Sequence, residues 1–162
     1  MFLHASAELN VQHWLMKSEP GEFSIDDLKN RPRRTEAWDG VRNFQARNML
    51  RDAMRQGDLA FFYHSNCDEP GIAGIIEIAS NGYPDPTAFD PHSKHFDPDS
   101  DPADPRWYLV DVRFKRKLRR LISLTELKEQ KRLRNMQLLK RGNRLSVMPV
   151  GPAEWNLILE ME

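Results

Sequence analysis

Short runs of strand-forming residues alternate with short, capped helical patterns, which predicts an α+β fold built on a small curled sheet or barrel. Two further observations support that class. The chain has 162 residues, 40% hydrophobic and 30% charged, which suits one compact domain burying about 70% of its extended surface. Pro84, Pro86, Pro91, Pro98, Pro102 and Pro105, more than half of the 11 prolines, crowd one central stretch. That stretch breaks the regular strand and long-helix exchange of a doubly wound sheet.

The elements follow in chain order. His13 to Lys17 forms an opening strand, ended by the turn-rich Ser18-Glu19-Pro20-Gly21. Ser24-Ile25-Asp26-Asp27 carries a capping box and starts a helix that Arg31-Pro32 cuts short. Thr35 to Trp38 reads as a brief strand closed by Asp39-Gly40, and Asn43 to Met54 as a helix stopped at Gly57. Leu59 to Tyr63 and Ile72 to Ile78 are rich in strand formers and read as sheet neighbours. Gly82 to Pro105 is expected to be one long loop, and Trp107 to Phe114 resumes as a strand. Ser123-Leu124-Thr125-Glu126 caps a helix through Gln130, and Arg132 to Leu139 suggests a second short one. Leu145 to Val150 is a last strand, and Pro152 to Met161 a terminal helix with proline in its first turn. Residues 1–12 form an N-terminal extension ahead of a single domain over 13–162.

Charge and cysteine content narrow the function classes. Cys67 is the single cysteine, which excludes an intramolecular disulfide framework or a multi-cysteine zinc site and fits a cytoplasmic, reducing environment. The longest apolar runs fall far short of the roughly 20 residues that a spanning helix needs, so no membrane role is expected. Lys+Arg and Asp+Glu number 24 each, which argues against nucleic acid, because phosphate binding needs excess cations. The sum hides segregation, however. Asn66 to Pro105 holds nine acidic residues against Lys94 alone, whereas Arg106 to Arg144 holds fourteen basic residues against three acidic ones.

Several chemistries lack their signatures. No glycine-rich phosphate loop is present, so no nucleotide cofactor is expected. Asp97-Pro98-Asp99-Ser100-Asp101 begins like a calcium loop, but Pro102 stands where the turn needs glycine and Tyr108 where a bidentate glutamate belongs. His92 and His95 have no cysteine companions, and the stretch reads as a solvated acidic loop without metal. His64, Ser65 and Cys67 bring imidazole, hydroxyl and thiol together, but neighbours on a strand point to opposite faces, so a polar strand end beside a pocket is expected. Trp38-Asp39-Gly40-Val41-Arg42-Asn43 combines a stacking face, close backbone approach, a cation and hydrogen-bonding edges, the parts of a site for a planar heterocycle. Trp38 as plain core is the alternative.

The segments Trp14-Leu15-Met16-Lys17-Ser18-Glu19-Pro20, Trp38 to Asn48, and Gly57-Asp58 with Phe61 to Asn66 together resemble the EVE domain family. Val110-Asp111-Val112, Ile122-Ser123-Leu124 and Arg144-Leu145-Ser146-Val147 continue the likeness, which runs in order from His13 to Trp155. The resemblance implies a PUA-like fold, a curled mixed sheet or pseudo-barrel flanked by short helices and related to the YTH domains that read methylated adenine in RNA. It implies recognition of a modified base in DNA or RNA, with modified cytosine the leading ligand, and brings no catalytic reaction and no cofactor. Carried onto this chain, the pocket would comprise Lys17, Ser18, Trp38, Gly40, Val41, Arg42, Asn43, Tyr63, His64, Ser65, Asn66, Arg144, Leu145 and Ser146. Three positions depart from the family pattern: Phe44 in place of a common Tyr, Met148 in place of a common Gln, and His95 where an aromatic is frequent.

The expected mechanism is non-enzymatic: a base flips into the slot, stacks on Trp38, and meets Asn43, Ser18 and backbone groups near Val41 along its edge. Arg113, Lys115, Lys117 and Arg119 share one face of an extended strand and would meet the nucleic-acid backbone, with a merely solvated face as the alternative. Two other readings stand beside this one. One is an enzyme acting on nucleobases through His64 with Ser65 or Asp39; the other is a module that binds a protein or free small molecule in the same pocket.

Overall fold

The computed structural model describes residues 11–162. The extension expected over residues 1–12 therefore lies, in its first ten residues, outside the described part. In order, β1 (His13–Ser18), α1 (Ile25–Lys29), β2 (Thr35–Ala37), α2 (Phe44–Asn48), β3 (Leu59–His64), β4 (Gly71–Ile78), β5 (Tyr83–Pro84), β6 (Tyr108–Leu109), β7 (Asp111–Ser123), α3 (Leu124–Glu129), β8 (Val147–Val150) and α4 (Pro152–Met161) make the fold. Six strands form one mixed sheet in the order β2-β7-β4-β3-β1-β8, and β5 with β6 makes a separate two-stranded ribbon. This is the α+β curled sheet that the sequence predicts.

The one parallel pair among the described residues, β1 with β3, decides where the site lies. Its register runs from His13 opposite Leu59 to Ser18 opposite His64, so both chains leave the sheet at the same end. β8 runs antiparallel to β1, Met16 opposite Val147, and therefore enters the sheet at that end. A hydrogen bond from the Lys17 N–H to the Ser146 carbonyl (2.8 Å) ties the approach to β8 there. Three segments distant in sequence, 17–18, 65–66 and 144–146, thus meet at one end of the sheet.

The core fills both sides of the central strands. Leu15, Met16, Phe61, Phe62, Ile72, Ile76 and Ile78 are fully buried. Trp155 of α4 stacks on Phe61 at 3.9 Å and on His13 at 4.3 Å between ring centroids, closing one face. Pairing of β4 with β7 shifts register between Ile72 and Gly74 and again between Ile75 and Ile76. Such bulges bend the strand and raise its twist, which curls the sheet.

Several expectations change in detail. The helix expected from Asn43 to Met54 is α2 followed by a wide π turn over Met49–Ala53, closed by the Met54 N–H on the Met49 carbonyl (2.9 Å). The strand expected over Trp107 to Phe114 divides at Val110, whose carbonyl is taken by the Trp38 N–H (2.9 Å), and β7 then runs on to Ser123. The charged run Lys115 to Arg120 disguised that extension, because the inward residues Phe114, Leu118 and Ile122 are sparse among exposed Lys and Arg. Arg132 to Leu139 forms no helix but falls in two 3₁₀ turns, Lys131–Leu133 and Gln137–Leu139, that bury Leu133 and Leu138. The proline-rich loop contains β5 and a 3₁₀ turn, Pro86–Phe89, capped by Asp85. Three of its other acidic residues are held in local turns, the backbone N–H groups of His92, Asp99 and Ala103 donating to Asp90, Asp97 and Asp101.

Candidate functional site

A cleft of about 810 Å³ opens at the sheet end where β1, β3 and β8 meet, within the range typical of small-ligand sites. Of the expected residues, Lys17, Ser18, Trp38, Gly40, Val41, Arg42, Ser65, Arg144, Leu145 and Ser146 line it. Trp38 belongs to cleft and core at once. It is 8% exposed and meets Phe62 edge-on at 5.5 Å and Phe23 at 6.5 Å. The aromatic wall is therefore braced from behind: Trp38 lines the cleft and packs into the core.

Asp85, counted in the sequence only as a charge, organises the turn after Trp38. It is wholly buried and accepts hydrogen bonds from the Gly40 N–H (2.9 Å), Arg42 Nη1 (3.0 Å), the Thr87 N–H (2.8 Å) and Thr87 Oγ1 (2.6 Å). Burial alone would raise its pKa, but the bonds from Thr87, Gly40 and Arg42 together hold the carboxyl below its ordinary value. Arg42 also donates to the His95 carbonyl (2.7 Å) and lies over the Trp107 ring at 5.4 Å, so its guanidinium is a brace between turn and loop. Gly40 takes a φ of 81°, and a Cβ there would stand 2.5 Å from the His95 ring. His95 and Lys94 bring the proline-rich loop to the cleft rim, where Lys94 pairs with Glu22 at 2.6 Å. The sequence signal for this brace was Asp85-Pro86-Thr87, a helix-capping pattern.

Four expected residues do not line the cleft. Asn43 caps α2, its Oδ1 accepting the Ala46 N–H at 3.0 Å, and lines an adjacent hollow instead. Its side-chain oxygen is thereby engaged in the cap, while Nδ2 carries its donors. Tyr63 is buried beneath the Lys17 ammonium (5.9 Å to the ring centroid), and burial pushes its hydroxyl up to about 12. His64 Nε2 accepts the Ile25 N–H at the start of α1 (3.2 Å), and desolvation lowers its pKa. Asn66, with φ 50°, does not itself line the cleft but donates to Glu19, which does. His64 and Ser65 therefore do not converge as an acid–base and nucleophile pair.

The charged groups of the cleft divide into paired and unpaired sets. Glu36 pairs with Arg31 and Glu22 with Lys94, both at 2.6 Å. Lys17 and Arg144 have no ion-pair partner among the described residues, and desolvation lowers the Lys17 pKa. Asp39 lies 4.0 Å from His95 Nε2; desolvation first and the nearby Asp85 charge second raise its pKa. Of the three departures from the family pattern, only His95 is in the cleft. Phe44 is exposed and stacked on Trp107 at 4.8 Å, and Met148 is buried with its sulfur facing Asn143 Nδ2 at 3.8 Å.

The basic strand is mostly neutralised. None of Arg113, Lys115, Lys117 and Arg119 lines the cleft. Arg113 and Lys115 pair with Glu77 (3.0 and 3.7 Å), and Lys117 with Asp26 (2.9 Å). The bulges in β7 also break the simple alternation on which their shared face was expected. Among the described residues no group of three or more His, Cys, Asp and Glu could hold a metal ion, and no helix is long and apolar enough to cross a membrane.

A curled mixed sheet with an aromatic-walled cleft at one end defines an α+β binding domain of the PUA-like kind. The chain belongs to the EVE domain family, which matches residues 12–161. Human thymocyte nuclear protein 1 is 48% identical over 167 residues, covering 93% of this chain and 73% of that protein. A crystal structure of human THYN1 protein in complex with 5-methylcytosine-containing DNA matches with a TM-score of 0.88 and 47% identity, over 93% of this chain and 96% of that one. A crystal structure of a Pseudomonas syringae protein matches with a TM-score of 0.87 and 48% identity, over 92% and 98% of the two chains. The six-stranded half-barrel is the PUA-like fold of these structures.

Proposed function

We propose that this protein is a non-enzymatic reader of modified bases, taking 5-methylcytosine in DNA into the Trp38 cleft. The observation that carries the reading is the match, at 47% identity across nearly the whole chain, to a human protein crystallised with 5-methylcytosine-containing DNA. The cleft chemistry agrees with it. Trp38 supplies a braced stacking wall, Val41 and Leu145 supply apolar surface for a methyl group, and Ser18 and Asp39 supply acceptors for an exocyclic amine. Ser18 Oγ already donates to the Phe23 carbonyl at 2.5 Å, which leaves its lone pairs to accept.

The energetics set the expected selectivity. Flipping a base costs a few kcal/mol and stacking returns about 1–3 kcal/mol, so edge and phosphate contacts supply the rest. A buried methyl adds about 0.8 kcal/mol, roughly a fourfold preference. Titration of matched oligonucleotides, cytosine against 5-methylcytosine in DNA and in RNA, tests the reading. Binding that favours the methylated DNA supports it, and equal binding to all four contradicts it.

A further inference from the structure

Of the cations expected to meet phosphates, Arg113, Lys115 and Lys117 on β7 are held by carboxylates. A different set is not. Lys128, Lys131, Arg132, Arg134, Lys140, Arg141 and Arg144 are all exposed, and none has an ion-pair partner among the described residues. On β7, by contrast, Arg113, Lys115, Arg116, Lys117 and Arg120 are each paired with Glu77, Glu162, Asp26 or Glu126, and only Arg119 has an unpaired guanidinium.

Three of the unpaired set, Lys140, Arg141 and Arg144, line a second concavity beside the cleft. A hollow of about 360 Å³ lies between the start of α2 and the Gln137–Leu145 turn. Lys140, Arg141 and Arg144 supply its charge, no carboxylate lines it, and the side chains of Gln45 and Gln137 add neutral donors. Arg144 and Leu145 line both hollow and cleft, so the two concavities adjoin across these residues. The turn is built rather than loose. Gly142 takes a φ of 79°, and Asn143 Oδ1 accepts from the Leu145 N–H (3.3 Å) and Gln137 Nε2 (3.2 Å).

We propose that this hollow is a phosphodiester-binding site: the sugar–phosphate backbone flanking a bound base leaves the cleft past Arg144 and lies over Lys140 and Arg141. The site extends the base-reading proposal and rests on it. Its ligand is the phosphate of a nucleic-acid strand, contacted without regard to base identity. Unpaired cations beside a base slot suit that role, because each phosphate they neutralise releases condensed counterions. Cations already held by carboxylates release fewer.

Salt-dependent binding tests this. The probe is a duplex carrying one 5-methylcytosine, with its unmethylated twin, titrated from low to moderate salt. Each phosphate contact adds about 0.9 to the slope of log affinity against log salt. The K140Q/R141Q variant is expected to flatten that slope by about two and to weaken both duplexes equally, leaving their ratio as in wild type. The R113Q/K115Q variant, matched in charge change, is expected to keep the wild-type slope. Both pairs of side chains are exposed, and thermal unfolding checks that the variants fold. A K140Q/R141Q slope equal to wild type, with methyl preference intact, overturns the phosphate site and leaves the base-reading proposal standing. Wild-type protein that binds neither duplex overturns both.

Discussion

At Gly40 the chain turns through a left-handed conformation with the His95 ring against its Cα, and both features bear on the cleft. An alanine there would incur about 1–2 kcal/mol for the backbone and would push the imidazole aside. Gly40→Ala is therefore expected to lower the thermal midpoint and weaken ligand binding together, whereas His95→Ala leaves the fold intact. Trp38 calls for a gentler change. With 8% of its surface exposed, Trp38→Ala would open a cavity costing about 3–5 kcal/mol, which confuses binding with folding. Trp38→Phe retains most of the packing, and oligonucleotide titration is expected to show reduced preference for the modified base. His64 gives a pH prediction. Its folded pKa lies below the ordinary 6.5, so its neutral form stabilises the fold above that value and the contribution is lost as pH falls through it. Urea unfolding at pH 7.5 and 5 is expected to show a smaller acid loss for His64→Gln than for wild type.

Among the elements, β7 and α4 are locked through one carboxylate. Glu162 accepts from Arg116 Nη1 and Nη2 (2.8 and 2.6 Å) and from the Arg119 N–H (2.9 Å). The Arg116 bonds hold its carboxyl down at about 2 against an ordinary 4.5. Its contribution is complete above 4.5 and disappears as pH falls toward 2. Glu162→Gln should cost about 1–3 kcal/mol at neutral pH, and the difference from wild type should close across that acid window. The same elements show what the sequence could and could not reveal. Capping boxes at Ser24 and Ser123 and the proline start of α4 marked real helix beginnings, because the signal is local. The extent of β7 was hidden, because its inward residues are spaced by bulges that only pairing with β4 creates. The site divides in the same way. Segments at the sheet end were legible as motifs, and the resemblance to the EVE family placed Asn43, Tyr63, His64 and Asn66 in the pocket with them. Side-chain direction and capping turn those four elsewhere. Asp85 escaped notice because the two bonds that tie it to the cleft turn come from Gly40 and Arg42, 45 and 43 positions away.

Over the whole molecule, a formal charge of zero conceals two different treatments of charge. Asp90, Asp97 and Asp101 of the acidic loop are bound to its own backbone through Asx turns, and all the basic-strand cations but Arg119 are held by carboxylates. The unpaired cations Lys140, Arg141 and Arg144 sit beside the end of the sheet where β1, β3 and β8 deliver the cleft. Charge supplies attraction there, and the pocket supplies selection. The most direct measurement is titration of wild-type and Trp38→Phe protein with otherwise identical DNA oligonucleotides containing cytosine or 5-methylcytosine. A methyl preference of about fourfold or more in the wild type, reduced in Trp38→Phe, is the predicted result; equal affinity of the wild type for both oligonucleotides would contradict it.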